Sequence, residues 1–186
     1  MLQYLKEYGK YVEITGYQNI EFNKSEVFLK ANRKTKQNVD IQFFDAELIA
    51  TQEHLYFAVL NALQAFKNKT NLSKSPAMET MLFASAQRQI QKAIIRTGIK
   101  PETQNMAIVI VGDDPEQIET AVKALTKSMG REPDESVLDL TNIKEAKIKE
   151  AFEITEEELK VLENGNQEKA IINIVIERMA LLSTQL

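Results

Sequence analysis

The feature that most constrains the fold is a helical segment, residues 51–68, that is apolar almost all the way round. Thr51 is placed to cap its start, and residues 55–66 contain only two polar side chains. The polar positions form one narrow seam: His54, Asn61, Gln64 and Asn68. An ordinary surface helix has a single apolar stripe. The segment therefore predicts a central helix that other elements cover on several sides.

A second long helix is predicted directly after it, over residues 76–97, with Ser75 and Pro76 at its start and Gly98 at its end. Its predicted core face repeats every four residues: Met78, Leu82, Ala86, Ile90 and Ile94. A basic stripe has the same spacing: Arg88, Lys92 and Arg96. Because the two series are offset by two residues, or about 200° around a helix, the stripe is predicted on the opposite, solvated face.

The remaining pattern predicts a single α/β domain over residues 1–186, with a small mixed β-sheet flanked by helices around the central buried helix. Strands are predicted at residues 10–16, 39–43 and 106–112, with a short edge strand at 136–140. The 106–112 run has no polar alternation, which favours a central strand buried on both faces. Helices are predicted at residues 23–34, 115–129, 142–152 and 156–163. Residues 167–183 fit either a strand or a helix.

Positive charge is concentrated in one part of an otherwise acidic chain. The net charge of −4 argues against indiscriminate binding of nucleic acid. Residues 67–100, however, contain a single acid, Glu79, and seven bases: Lys67, Lys69, Lys74, Arg88, Lys92, Arg96 and Lys100. Residues 101–186 are strongly acidic. The connector between the two long helices and the second helix therefore form the predicted basic surface.

Several function classes lack the residues they need. The chain has no cysteine and one histidine, which removes thiol catalysis, disulfides and histidine- or thiolate-rich zinc sites. No phosphate-binding loop is present, and no cofactor is expected. The apolar stretch at 170–182 is too short and too interrupted to span a membrane. A cytoplasmic protein without a membrane partner is therefore expected.

Two features have a structural and a functional interpretation. His54 could bind a ligand, but a hydrogen-bonded structural histidine is favoured. Asp113, Asp114 and Glu116 follow a predicted buried strand and could hold a divalent cation in a metal-dependent enzyme. A capped helix start with extra acids explains the same residues without a ligand and is favoured.

Two further features leave a choice between packing and binding. The basic stripe is either a solvated helix face or a phosphate-contacting surface. At the start of the same helix, Ser75 to Met78 would leave backbone N–H groups free for an anion, and Leu72 and Met78 could support a base or a ribose. Residues 170–182 are core or a partner surface.

The order of motifs resembles one family, the regulatory subunits of the KEOPS complex, and within it the archaeal members. The likeness rests on Phe43-Phe44-Asp45, His54-Leu55, Met78-Glu79-Thr80-Met81-Leu82, Ser85-Ala86-Gln87-Arg88-Gln89-Ile90, Gly98-Ile99-Lys100 and Ile176-Glu177-Arg178-Met179-Ala180-Leu181-Leu182. It covers roughly residues 39–182. Ala86 departs from the glycine that members often carry there.

The resemblance implies a non-catalytic subunit that binds and activates the kinase-like ATPase of the complex and binds the 3′ CCA end of tRNA, in support of threonylcarbamoyladenosine formation. The tRNA site is then predicted at Lys67, Lys69, Leu72, Lys74, Ser75, Met78, Arg88, Lys92 and Arg96. The kinase site is predicted at Ile172, Ile176, Met179 and Leu182. The rival functions are a protein-only scaffold and the metal-dependent enzyme described above.

Overall fold

The computed structural model describes residues 2–20, 39–162 and 166–184. The helix predicted at 23–34 lies outside these residues. The strands are β1 Gln3–Leu5, β2 Lys10–Tyr17, β3 Val39–Asp45 and β4 Met106–Gly112. The α-helices are α1 Gln52–Asn68, α2 Pro76–Ala84, α3 Ile90–Thr97, α4 Pro115–Met129, α5 Asn142–Ala151, α6 Glu156–Leu162 and α7 Gln167–Leu181.

The four described strands form one sheet in the order β1-β2-β4-β3, and all three pairings are antiparallel. Every residue of β4 is buried, which confirms the prediction of a central strand covered on both faces. One face packs against α4 through Ile118 and Leu125. The other face packs against α1 and α2. The predicted α/β fold with a small sheet flanked by helices is therefore confirmed, although the described strands form an antiparallel sheet and not the mixed one that was predicted.

Helix α1 occupies the central position that its apolar sequence predicts. Thr51 caps its start by accepting a hydrogen bond from the N–H of His54, and Lys69 ends it in a left-handed conformation. Leu55, Ala58 and several other side chains of α1 are fully buried. Only one stripe of the helix stays partly exposed, and that stripe contributes to the candidate sites described below.

The single helix predicted over residues 76–97 is wrong, because the chain breaks between α2 and α3. Ala86 lies in the left-handed region with φ of 48°, a conformation in which an L-residue is strained and glycine is not. The presence of Ala86 in place of the expected glycine therefore affects the backbone conformation at the break. Beyond the break the predicted core positions Ile90 and Ile94 are 42% and 43% exposed.

Side chains from distant elements stabilise this break. The carbonyl oxygens at the end of α2 have no partner within the helix. Nε2 of His54 lies 2.8 Å from Ala84 O, and Nη1 of Arg96 donates to Ser85 O at 3.0 Å. These contacts replace the helical hydrogen bonds that a continuous helix would have made.

The edge strand predicted at 136–140 is also wrong, since residues Glu135–Leu138 form a 3-10 helix. This turn packs directly on β2, where the N–H of Asp134 donates to Gly16 O at 2.8 Å. A Cβ atom at Gly16 would lie 2.0 Å from a methyl group of Val137. Only glycine at this position permits the close contact.

The C-terminal third forms a helical layer. The segment whose sequence fitted strand or helix is helix α7. Predicted helices α5 and α6 are confirmed. Thr155 and Glu158 exchange hydrogen bonds at 2.8 and 3.2 Å and form a capping box at the start of α6. Helices α5 to α7 share a core around Phe152 and Ile171, and α7 also packs against α1.

Candidate functional site

A cavity of about 330 Å³ lies between α1, the 67–75 connector and α2. We call it the amide pocket. Its lining residues are Asn61, Gln64, Ala65, Asn68, Thr70, Leu72, Glu79, Phe83, Arg88 and Leu182. Three side-chain amides, one hydroxyl, one guanidinium and one carboxylate thus surround an apolar wall formed mainly by Leu72 and Phe83. Asn61, Gln64 and Asn68 of the predicted polar seam of α1 form one side of this pocket, whereas the fourth seam residue, His54, is fully buried elsewhere.

Glu79 fixes the connector that forms the rim of the amide pocket. Its side chain is 1% exposed. The two carboxylate oxygens accept from Leu72 N–H at 3.0 and 3.1 Å, and one also accepts from Ser73 N–H at 2.7 Å. Sequence reasoning counted Glu79 only as an acid among bases and missed its role. The sequence feature that could have indicated this role is that Glu79 is the single acid among residues 67–100, because a lone acid in a basic segment needs a structural reason.

Fewer backbone N–H groups are available to a ligand at the start of α2 than the sequence predicts. The N–H of Met78, expected to be available to an anion, donates to Ser75 Oγ at 3.3 Å, and the N–H of Glu79 donates to Ser75 O. Ser75 therefore acts as a helix cap. Met78 is half-buried against the main core.

The predicted tRNA-binding residues divide into two groups around the α2–α3 break. Leu72 and Arg88 line the amide pocket, and Lys69 and Lys74 are exposed on the connector. Lys67 is exposed too, pairs with Glu7 at 3.0 Å and lies over the ring of Tyr8. Lys92 and Arg96 line a different concavity, which is described below.

Neighbouring side chains orient two walls of the amide pocket. The hydroxyl of Tyr8 donates to Gln64 Oε1 at 2.9 Å, and burial, followed by the charge of Glu7, raises the pKa of Tyr8. It therefore remains a donor at neutral pH. Nη1 of Arg88 donates to Leu182 O at 3.5 Å, so the end of the α7 segment also contacts the pocket wall.

The second concavity, of about 500 Å³, lies between α3 and α5, and we call it the basic groove. Its lining residues are Leu48, Gln87, Lys92, Ile95, Arg96, Lys100, Lys147, Glu150 and Ala151. Arg96 was expected on a solvated face, but it is half-buried: it caps Ser85, lies 5.5 Å from the ring of Phe152 and approaches Glu153 at 3.7 Å. Burial lowers the pKa of Arg96, and Glu153 opposes that effect.

The predicted kinase-binding residues differ in exposure. Met179 and Leu182 are 0% and 3% exposed and belong to the core, so neither offers a docking surface in this conformation. Ile172 and Ile176 are half-buried. Ile176 packs on the same core as three half-buried residues of α1: Tyr56, Phe57 and Leu60. We call these four residues the α1–α7 seam. Its α1 part was not predicted from the sequence, because α1 was expected to be covered on several sides.

The remaining candidates have structural partners. His54 is fully buried; its Nδ1 accepts from Ala50 N–H at 3.1 Å, and burial lowers its pKa to about 4. Asp113 pairs with Lys10 at 2.6 Å, and Asp114 caps α4 by accepting from Glu116 N–H. No group of acids or histidines suited to a metal ion occurs among the described residues. Within them, too, no helix is long and apolar enough to cross a membrane.

Comparison with known proteins identifies the family. A family model described as kinase binding protein CGI-121 matches residues 17–183. The chain is 31% identical over 141 residues to the regulatory protein Cgi121 of Methanocaldococcus jannaschii. The aligned residues cover 76% of this chain and 81% of that protein. The chain belongs to the CGI-121 family of kinase-binding proteins.

A fungal relative links the family to a complex. The chain is 28% identical over 124 residues to the EKC/KEOPS complex subunit cgi121 of Aspergillus terreus. The match covers 63% of each protein, so the chain spans less than two thirds of that relative. The predicted similarity to KEOPS regulatory subunits is thereby confirmed.

Proposed function

We propose that this chain is a non-catalytic subunit of a KEOPS-type complex that binds and activates the kinase-like ATPase subunit and binds the 3′ CCA end of a tRNA, supporting threonylcarbamoyladenosine modification. The family and the fungal relative support the complex and the kinase partner. The observation that carries the RNA part is the amide pocket with its lysine-bearing connector. Unpaired bases need hydrogen-bonding edges and apolar surface, and their phosphates need cations.

The pocket supplies these groups at one place. Asn61, Gln64 and Asn68 provide amide donors and acceptors for a base edge, and Leu72 and Phe83 provide the apolar wall. Lys69 and Lys74 are exposed on the connector that forms the rim, so both cations are available to the phosphates of a bound single strand. The single histidine, Asp113 and Asp114 are engaged in structural contacts, which supports a binding role over the metal-dependent enzyme.

The first test reverses the charge of the connector. We expect Lys69→Glu with Lys74→Glu to weaken tRNA binding about tenfold or more at low salt, because two phosphate contacts become repulsive. Filter binding measures the affinity. The matched control is Lys123→Glu with Lys127→Glu on α4, which makes the same change in charge on the other face of the sheet and should leave the affinity within about twofold.

The tRNA itself provides the second arm of this test. Removal of the CCA end should weaken binding to the parent protein and have little further effect on the connector variant. Equal affinities of the parent, the connector variant and the control for intact tRNA would contradict the RNA site. No detectable binding to the parent at low salt would favour the protein-only scaffold.

The kinase contact is proposed at the α1–α7 seam. We expect Ile176→Asp to weaken binding of the kinase-like subunit about 30-fold or more, because a charge in the centre of an apolar interface is desolvated without a partner. Isothermal titration calorimetry measures the affinity. Asn173→Asp is the control on α7, since it adds the same charge at an exposed position.

Ile176 also packs on the core, so a second variant separates docking from folding. Tyr56→Asp changes the α1 side of the seam, and circular dichroism reports whether each variant is folded. Two folded variants that bind the kinase subunit as tightly as the parent would move the interface away from this seam.

A further inference from the structure

The basic groove gathers cations from separate parts of the chain. Lys92 and Arg96 come from α3, Lys100 from the segment before β4 and Lys147 from α5, and Glu150 is the one acid among the lining residues. Like charges brought this close repel one another. Such a cluster costs free energy in the isolated protein and is stabilised by an anion.

Two of these cations are already compensated. Lys147 pairs with Glu47 at 2.9 Å, and Arg96 approaches Glu153 at 3.7 Å. Lys92 and Lys100 form no ion pair with another residue in the described part of the chain. Lys92 is exposed and Lys100 half-exposed, so both can reach an incoming ligand without breaking a bond in the fold.

The lining favours phosphate over bases. Among the described residues no aromatic ring lines the groove, and the uncharged part of its lining there consists of Leu48, Gln87, Ile95 and Ala151. Unpaired bases are usually held on aromatic platforms, whereas the sugar–phosphate backbone of a base-paired RNA is contacted through cations and polar groups. The groove therefore suits the backbone of a duplex better than the bases of a single strand.

The groove and the amide pocket are neighbours. Arg88 lines the pocket and Gln87 lines the groove, and consecutive Cα atoms are about 3.8 Å apart. The α2–α3 break is thus the wall between the two concavities. An RNA that occupied both concavities would therefore have to pass over this short segment.

We propose that the basic groove is a second RNA site, which binds the sugar–phosphate backbone in the base-paired part of the same RNA whose 3′ end enters the amide pocket. This inference rests on the proposed function. It adds Lys100 to the residues predicted to bind RNA, and it separates Lys92 from the site that holds the 3′ end.

The experiment compares two RNAs on one variant, Lys92→Glu with Lys100→Glu. Binding of intact tRNA should weaken about tenfold, and the slope of log affinity against log salt should fall by about 1 to 2. A short single-stranded oligonucleotide ending in CCA should bind the variant and the parent equally within about twofold. Lys123→Glu with Lys127→Glu is again the control.

Each other outcome overturns the proposal. Unchanged tRNA affinity in the Lys92/Lys100 variant, with the connector variant still impaired, removes the groove and leaves the proposed function standing. Equal losses for tRNA and for the oligonucleotide make the groove part of the 3′-end site. Failure of the parent protein to bind tRNA at low salt rejects the proposed function itself.

Two additional measurements test other ligands for the groove. If titration with adenosine monophosphate saturates on the parent and is abolished in the Lys92/Lys100 variant, the groove is a mononucleotide site. If the variant binds tRNA normally and loses the kinase-like subunit, the groove is a protein-docking surface. Either result would overturn the assignment to duplex RNA.

Discussion

Replacing Glu79 with alanine is expected to lower the free energy of unfolding by about 3 kcal/mol and to abolish specific RNA binding at the amide pocket. The carboxylate is buried and accepts from the N–H groups of Leu72 and Ser73. A hydrogen bond to a charged group contributes about 1.5–3 kcal/mol, and a buried donor left unpaired costs a further penalty. Urea denaturation followed by circular dichroism measures the change.

A second substitution distinguishes the hydrogen bonds by which Glu79 anchors the connector from the effect of its charge on RNA. In Glu79→Gln the side-chain oxygen can still accept from Ser73, but the new amide group donates where Leu72 also donates, so about half the destabilisation is expected. If the residue acted only by repelling phosphates, removing its charge would tighten tRNA binding. We expect weaker binding, because the connector loses its anchor.

Thr80→Val is the matched control for this pair. Thr80 is equally buried in the same helix, but its hydroxyl donates only to Pro76 O within that helix. The change should cost about 1 kcal/mol and leave RNA binding unchanged. If the Thr80 and Glu79 variants lost equal stability and equal RNA affinity, then the anchoring role of Glu79 would be rejected.

Elements held by local sequence signals were predictable. The all-apolar run of β4 and the capping residues Thr51 and Asp114 fixed their elements correctly, because a cap or a buried strand is decided by residues close in sequence. The polar seam of α1 was also visible. The surroundings of this polar seam could not be predicted, since they depend on the positions of the connector and of α2.

The break between α2 and α3 could not be predicted from periodicity. Residues 77–97 contain no glycine or proline, and their four-residue repeat fits a continuous helix. The break depends on His54, thirty positions before Ala84, and on the guanidinium of Arg96. Because the break rotates α3, Ile90 and Ile94 become exposed, and the predicted basic stripe divides between two concavities.

Prediction of the kinase-binding residues from the sequence was limited in the same way. The apolar C-terminal segment fitted either core or a partner surface, because apolar character alone does not distinguish a core residue from a docking residue. Met179 proved to be core, whereas Ile176 of α7 and Tyr56 of α1 are half-buried and pack against that core. Only the packing of α1 against α7 decides which side chains remain accessible.

Lowering the pH from 7 to 4.5 is expected to reduce the free energy of unfolding by about 2 kcal/mol through His54 alone. Burial lowers the pKa of His54 to about 4, whereas the unfolded chain has an ordinary value near 6.5. Between these values the unfolded state binds a proton that the folded state does not. The contribution of His54 is therefore complete above pH 6.5 and is lost as the pH falls towards 4.

His54→Gln is the variant that isolates this effect from the titration of carboxylates. Glutamine can donate to Ala84 O as the imidazole does, but it does not titrate. We expect the variant to be less stable at pH 7, because Ala50 N–H loses its acceptor, and to show a shallower pH profile in urea denaturation. Parallel profiles for the parent and the variant would show that His54 does not titrate across this range.

Protonation of His54 acts on the same break that separates the two proposed RNA sites. An imidazolium cannot accept from Ala50 N–H, so the charged ring loses its contact with the segment just before α1. Its Nε2–H still donates to Ala84 O, and the ring that caps the break is then held on that side only. Arg96 still caps Ser85 in that state, since a guanidinium remains charged at low pH. Loss of tRNA affinity should therefore follow loss of stability in the parent as the pH falls, and should be smaller in His54→Gln than in the parent.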